Sequence, residues 1–153
     1  MRDWIRAAAW SFRAGGALCV VYCYPRRECY LPERHDGALA CRYRHRANGG
    51  PLHWPGLQDI TAHVDFSALA AAAQDSGLDV LGYATQSNFL VNCGITEVLE
   101  RNDPTDARRF APIAATAQKL LSPAEMGERF KVFCVGRGFA PALLAFAPGG
   151  GSP

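Results

Sequence analysis

The sequence predicts an α/β fold, and three observations support that prediction. Residues 17–22 form a continuous apolar run of strand length, which is typical of a parallel-sheet strand buried on both faces. Asp65 precedes an alanine-rich helix over 66–76, which Gly77 ends. Residues 78–84 then alternate as a strand does. A strand, a helix and a second strand in this order indicate an α/β unit.

The remaining elements fit one domain over residues 1–147. Apolar side chains at helical spacing predict an amphipathic helix over residues 1–14, which Gly15 and Gly16 end. Residues 87–130 favour helices, and Ser122-Pro123-Ala124-Glu125 is typical of a helix start. Residues 130–135 predict a last strand, and we expect the tail at 148–153 to be disordered.

Composition excludes several classes of protein. Of 153 residues, 49% are hydrophobic and 20% are charged, which is typical of a soluble globular domain. A net charge of +2 gives no electrostatic case for a nucleic-acid partner. No apolar run approaches the roughly 20 residues that span a bilayer, so no membrane partner is expected. Six cysteines without a CxxC pair favour a reducing compartment, and we predict a cytoplasmic location.

The long connection over residues 25–65 contains the candidate site. Such a stretch within a compact domain is usually functional or locally structured. We expect it to fold over the carboxyl ends of the strands, with its exposed tip at residues 48–51. Asp59 and His63 suit acid–base chemistry, although a purely structural role is equally compatible with the sequence. Asp65 is favoured as a helix N-cap.

Motifs for metal or phosphate binding are absent from the sequence. The four histidines and Cys41 have long, uneven intervals that do not suit zinc, so no metal ligand is predicted. Neither GxGxxG nor GxxxxGK[ST] occurs, and Gly136-Arg137-Gly138 is better interpreted as a turn. We therefore predict no cofactor-binding residue.

Six blocks of the sequence resemble, in order and spacing, the MidA-like family of class I methyltransferases that use S-adenosylmethionine. The resemblance extends over residues 3–146, and the blocks are residues 24–28, 41–46, 55–66, 82–86, 118–127 and 130–132. It implies the C-terminal part of a seven-stranded, Rossmann-like sheet with helical and loop insertions. Residues 17–22, 78–84 and 130–135 would be its fifth, sixth and seventh strands.

The same resemblance implies that this chain corresponds to the C-terminal half only. The glycine-rich cofactor loop belongs to the preceding half of the family fold. S-adenosylmethionine is thus expected as cofactor of the intact family member, and none is expected for this chain alone. Flanking strands would also be missing beside residues 17–22, so we expect self-association through an exposed strand edge.

The resemblance further implies a protein substrate, since one family member is a mitochondrial protein-arginine methyltransferase that helps to assemble respiratory complex I. A respiratory complex I subunit is therefore a candidate partner, and bacterial members are expected in the cytoplasm. Glu28 and Asp59 would orient a guanidinium group and His63 would accept its proton. The predicted substrate-binding residues are Tyr22, Tyr24 and Asp65.

The sequence departs from the family at the end of the fifth strand. The family typically has Asp-Tyr-Gly-Tyr, whereas this chain has Val21-Tyr22-Cys23-Tyr24. A carboxylate is lost at the edge of the sheet where sites in open α/β folds lie. This leaves two alternatives to a catalytic fragment, namely a non-catalytic binding or assembly module and a truncated gene product without cofactor binding.

Overall fold

The computed structural model has helices on both faces of a central sheet, with a second, smaller sheet inserted after the first strand. It describes residues 2–11, 13–22, 39–44, 46–48, 50–62, 64–138 and 143–147. The helices are α1 (Arg2–Ser11), α2 (Phe66–Asp75), α3 (Gln86–Asn92), α4 (Ile95–Glu100) and α5 (Ala107–Leu121). The strands are β1 (Gly15–Tyr22), β2 (Leu39–Tyr43), β3 (Arg46–Asn48), β4 (Asp59–Ala62), β5 (Asp79–Thr85) and β6 (Phe130–Arg137).

The central sheet has the strand order β1-β6-β5. β6 pairs antiparallel with both neighbours, so that β1 and β5 run parallel to each other. Residues Val132 to Gly136 of β6 are buried. The three strands predicted from the sequence, and the α/β class, are therefore confirmed. The predicted tail at 148–153 lies outside the described residues.

One face of β1 differs from the prediction of a strand buried on both faces. Leu18 and Val20 are 52% and 53% exposed. The intervening residues Ala17 and Val21 pack against the core between the sheet and helices α1 and α2. Because α1 and α2 cover only one face of the sheet, the alternate side chains of β1 remain accessible on the other.

Helices α1 and α2 form the main core with the sheet. Ile5 and Ala9, four residues apart, bury one side of α1. The buried side of α2 packs against β6 in the same core; it consists of Leu69, Ala72 and Ala73, and the β6 residues are Phe133 and Val135. On the opposite face, the ring of Phe146 lies directly on Gly82, leaving no room there for a Cβ atom. A glycine at position 82 is thus required by packing.

Both ends of α2 have the caps that the sequence predicts. Asp65 Oδ1 accepts a hydrogen bond from the Ala68 amide at 3.1 Å. At the other end Gly77 has φ +71°, and its amide and that of Leu78 donate to Gln74 O and Ala73 O, each at 2.9 Å. This is a Schellman ending, which a glycine allows without strain.

Arg137 ties the C-terminal ends of two helices to the end of β6. Its guanidinium donates to Gly77 O at 3.1 Å, to Ser76 O at 2.9 Å and to Ala9 O at 3.5 Å. Carbonyl groups at helix C-termini lack partners within the helix and are electronegative, so a cation there is favourable. The Gly136-Arg137-Gly138 segment is interpreted from the sequence as a turn. In the structure Gly136 and Arg137 belong to β6, and only Gly138 (φ +67°) has a turn conformation.

The long connection contains a three-stranded antiparallel sheet of order β3-β2-β4. We call residues 39–62, as far as they are described, the arm. The exposed tip predicted at 48–51 is displaced along the chain: Asn48 and Gly50 are half-buried, and the exposed stretch is residues 51–57. The side chains of Asn48 and Gln58 hydrogen-bond to each other and to Gly50, which draws the predicted turn inward.

The helix start predicted at Ser122–Glu125 is wrong. Ser122 instead ends α5, and residues 123–129 form turns. The amides of Glu125 and Gly127 both donate to Ser122 O, at 3.1 Å and 2.9 Å. This folds the segment back on the last turn of α5, where Gly127 lies against Leu121 O too closely for any larger residue.

Replacing Arg137 by Ala should lower the free energy of unfolding by about 1–3 kcal/mol, because three carbonyl groups lose a charged donor. Urea denaturation monitored by circular dichroism measures this. Arg101→Ala, at an exposed position after α4, is the matched control and should stay within about 0.5 kcal/mol of the wild type. Equal stability of the two variants would refute the role given to Arg137.

Candidate functional site

The carboxyl ends of the parallel strands β1 and β5 meet at one edge of the central sheet. Tyr22 ends β1 opposite Phe130, and Thr85 ends β5 opposite Lys131. Ligands of open α/β sheets bind outside the carboxyl ends of the strands. This carboxyl edge is therefore the candidate functional site.

Helix α2 begins at the same edge. The ring of Phe66, its first residue, lies 4.9 Å from that of Tyr83 and 5.7 Å from that of Phe133. The connection that contains the arm follows Tyr22 and ends at Asp65, so both of its attachment points lie at the carboxyl edge. This agrees with the topology predicted for the connection.

Asp65 is half-buried and caps α2. The N-cap interpretation of this residue is thus confirmed. An N-cap carboxylate also interacts favourably with the positive end of the helix dipole. The substrate-binding role predicted for Asp65 stays a prediction.

A polar network that the sequence analysis missed occupies the edge beside β5. The hydroxyl groups of Thr85 and Ser87 lie 3.0 Å apart, and Ser87 Oγ donates to Glu128 Oε1 at 3.5 Å. Lys131 Nζ donates to Glu128 Oε2 at 3.4 Å. The Lys131 side chain is only 12% exposed, so its aliphatic part is largely buried, while its ammonium group pairs with Glu128 at the surface.

The resemblance contained a signal for this network. Thr85 and Lys131 belong to two of the blocks, 82–86 and 130–132, and the register places them opposite each other. Gln86, in the block at 82–86, is buried. Its Nε2 donates to Leu120 O at 3.0 Å, and this hydrogen bond joins the start of α3 to the end of α5. Blocks far apart in sequence thus converge at one edge.

Of the predicted catalytic residues, the structure describes Asp59 alone. Asp59 is exposed and begins β4, opposite Arg42. Asp59 lies at the start of β4, whereas Ala62 is the end of β4 nearer to α2. The extended chain between these two residues is about 10 Å long. Glu28, His63 and Tyr24 lie outside the described residues, and for Tyr22 only the backbone position at the end of β1 is described. The convergence of Glu28, Asp59 and His63 in one cleft stays a prediction.

The described cysteines are free thiols. They are Cys19, Cys41, Cys93 and Cys134. Burial raises the pKa of the Cys19 thiol, and burial together with the neighbouring Cys19 raises that of Cys134, so both resist ionisation. Within the described ranges, no group of three or more His, Cys, Asp or Glu residues is arranged to hold a metal ion. No helix among the described residues has the length and apolar character needed to cross a membrane.

Comparison with protein families identifies the family to which the chain belongs. The model described as "Putative S-adenosyl-L-methionine-dependent methyltransferase" matches residues 1–84, more than half of the sequence. The chain belongs to this methyltransferase family. The resemblance to MidA-like methyltransferases noted from the sequence is thereby confirmed.

Curated relatives include mitochondrial proteins named protein arginine methyltransferase NDUFAF7. The Danio rerio protein is 38% identical over 109 residues, which cover 66% of this chain and 25% of the relative. The Homo sapiens protein is 35% identical over 109 residues, covering 66% and 24%. The chain thus matches about a quarter of the length of these relatives.

Two crystal structures of superfamily members from Burkholderia thailandensis are similar to most of the chain. A native structure superposes with a TM-score of 0.89 at 49% identity and covers 97% of this chain and 40% of that one. A structure bound to S-adenosyl-homocysteine gives a TM-score of 0.88 at 49% identity and covers 97% and 38%. The Rossmann-like methyltransferase fold predicted from the sequence is therefore confirmed.

The cap at Asp65 can be tested separately from its charge. Asp65→Ala should lower the free energy of unfolding by about 1 kcal/mol, because the Ala68 amide loses its acceptor. Asp65→Asn keeps an acceptor oxygen and should remain within about 0.5 kcal/mol of the wild type. Urea denaturation of the three proteins measures both values. A loss as large in the Asn variant as in the Ala variant would contradict capping as the stabilising role.

Proposed function

We propose that residues 1–147 form the C-terminal, acceptor-side half of a methyltransferase domain, whose cofactor-binding residues lie in the rest of the family fold. The main support is the sheet, in which the antiparallel strand β6 lies between the parallel strands β1 and β5. The chain is also 49% identical in sequence to a protein of the same fold whose structure contains S-adenosyl-homocysteine. In the reaction, a lone pair of the acceptor nitrogen attacks the methyl carbon of S-adenosylmethionine. The carbon–sulfur bond breaks, S-adenosyl-homocysteine leaves and the nitrogen loses a proton.

The acceptor that we propose is an arginine side chain of a protein. Support comes from the names of the vertebrate relatives, which are protein arginine methyltransferases. A protonated guanidinium is a poor nucleophile, so carboxylates must orient it and share its charge. We propose that Glu28 and Asp59 orient the guanidinium group and share its charge. His63 is proposed to accept the proton that the guanidinium group loses.

Substrate contacts are proposed for Tyr22, Tyr24 and Asp65. Tyr22 and Asp65 flank the connection that contains the arm, and both lie at the carboxyl edge. A respiratory complex I subunit is the substrate that the family resemblance favours. We also propose a cytoplasmic location for this chain, which the free thiols of the described cysteines support.

A second candidate function is a non-catalytic binding or assembly module. It is favoured by Val21 and Cys23, which stand where the family has Asp and Gly. The carboxylate lost at position 21 would lie at the carboxyl edge. A module of this kind would keep the surface of the arm but transfer no methyl group.

The isolated chain should not bind S-adenosylmethionine, because no glycine-rich strand-to-helix loop occurs in the sequence. Isothermal titration calorimetry with residues 1–153 measures this. Fusion to the cofactor-binding part of the Burkholderia thailandensis relative should restore micromolar binding and methyl transfer. Micromolar binding by the chain alone would refute the proposed division. Binding by the fusion without methyl transfer to any protein arginine would favour the second candidate.

We also propose that, without the cofactor half, β1 associates with a second copy through its free edge. In the described part of the molecule β1 pairs with β6 alone, and Leu18 and Val20 are half-exposed beside that edge. Val20→Lys should shift sedimentation towards the monomer, whereas Val98→Lys, at an equally exposed apolar position on α4, should not. A wild-type chain that stays monomeric at all concentrations and unfolds in one sharp transition would refute the association.

A further inference from the structure

We propose that the tip of the arm is a docking surface for an acidic, partly apolar segment of the protein substrate, outside the reacting side chain. The tip consists of residues 50–58 together with Tyr43 and Arg44. This inference rests on the proposed function, since the connection that contains the arm begins and ends at the carboxyl edge where the acceptor would lie. It adds a substrate-binding surface remote from the transferred methyl group.

Three large apolar side chains are exposed at the tip within six residues. Leu52 is 84% exposed, Leu57 is 67% exposed and Trp54 is 42% exposed. Isolated apolar residues on a surface need no explanation, but a cluster is typical of an interaction site. Tryptophan is moreover enriched at the energetic centres of protein interfaces.

Hydrogen bonds hold the tip in one conformation. Gln58 Nε2 donates to Gly50 O at 3.1 Å and to Pro51 O at 2.6 Å, and Asn48 Nδ2 donates to Gln58 Oε1 at 3.0 Å. The amide of Leu57 donates to Trp54 O at 3.1 Å. The Trp54 ring packs at a tilt of 33° against the ring of Tyr43, with 4.8 Å between the ring centres. A surface that is already ordered loses little conformational entropy on binding, which favours affinity.

The charge of the arm selects an acidic partner. Arg44 and Arg46 are exposed, Arg46 is the strand partner of Tyr43, and Arg44 Cζ lies 5.5 Å from the centre of the Tyr43 ring. Asp59 is the sole carboxylate among the described residues of the arm. A guanidinium beside aromatic and aliphatic side chains suits a carboxylate next to apolar residues, because arginine pairs with carboxylates in a forked geometry.

The shape of the surface favours a peptide over a membrane. Leu39 and Ile60, each about half-exposed, lie on the same face of the small sheet as Tyr43, according to the strand register. They extend the apolar surface along the side of the arm towards the body. The Trp54 ring packs against that of Tyr43, with an angle of 33° between the ring planes, which joins the tip to this strip. A lateral strip of this kind fits an extended chain segment that runs along the arm.

The test is binding of the full chain to a fluorescein-labelled peptide that has two Leu and one Phe among Glu residues. A peptide with Lys in place of Glu and vesicles of phosphatidylcholine and phosphatidylserine are the comparison ligands. We expect saturable binding of the acidic peptide, measured by fluorescence anisotropy, that weakens as salt is raised. Binding of the vesicles or the basic peptide in preference to the acidic one would overturn the proposal.

Substitutions then locate the binding surface. The double variant Leu52→Ser with Leu57→Ser should raise Kd at least tenfold, and Arg44→Glu should also weaken binding. Leu144→Ser and Arg101→Glu are exposed controls outside the arm and should leave Kd unchanged. Circular dichroism verifies that each variant is folded. An unchanged Kd in the double variant, or an equal loss in the controls, overturns the docking surface.

The fusion with the cofactor half separates this inference from the proposed function. If the fusion binds the acidic peptide but methylates no protein arginine, the docking surface stands and the proposed function fails. If the fusion methylates a protein substrate and the double variant does so with unchanged KM, the proposed function stands and the docking surface fails. A raised KM with unchanged kcat in the double variant supports both.

Discussion

Antiparallel pairing of β6 with both β1 and β5 is the constraint on which the rest of the structure depends. It forces the two outer strands to run parallel, so that their carboxyl ends meet at one edge. The attachment points of the long connection, the start of α2 and the polar network around Lys131 all lie at that edge. At the opposite edge Arg137, at the end of β6, holds the C-terminal ends of α1 and α2. Both edges of the sheet are therefore organised by the two ends of one strand.

The molecule has a packed body and an arm that forms its own small sheet. In the body, buried side chains hold the carboxyl edge in place; Lys131 is balanced by Glu128, and the buried Gln86 bonds to Leu120 O. In the arm, hydrogen bonds from Asn48 and Gln58 hold apolar side chains towards solvent. A rigid edge suits positioning of a reacting group, and an ordered but exposed loop suits recognition of a larger partner. The connection that joins the two regions is anchored at Tyr22 and Asp65.

Local signals in the sequence predicted most of the body. Helix α2 was expected at 66–76 and runs from Phe66 to Asp75, because Asp65 and Gly77 fix its ends with short-range hydrogen bonds. The helix expected at Ser122–Glu125 is wrong, since Ser122 O accepts turn bonds from the chain that folds back on α5. The strands of the arm have only three to five residues each, so no clear pattern marked them in the sequence and their pairing could not be predicted. The Ser87–Glu128–Lys131 network could not be predicted either, because only the tertiary fold brings these residues together. Of the predicted catalytic residues, the structure describes Asp59 alone.

The pairing of β1 with β6 also governs how the chain must reach this structure. Tyr22 pairs with Phe130 and Gly15 with Arg137, so partners along the whole ladder are more than a hundred residues apart. Contacts of such long range slow folding, because a large loop must close before any bond forms. During synthesis β1 leaves the ribosome long before its partner exists, with its apolar side chains unpaired. Folding of this sheet is therefore completed late, and β1 is the segment for which chaperones would compete in the interval.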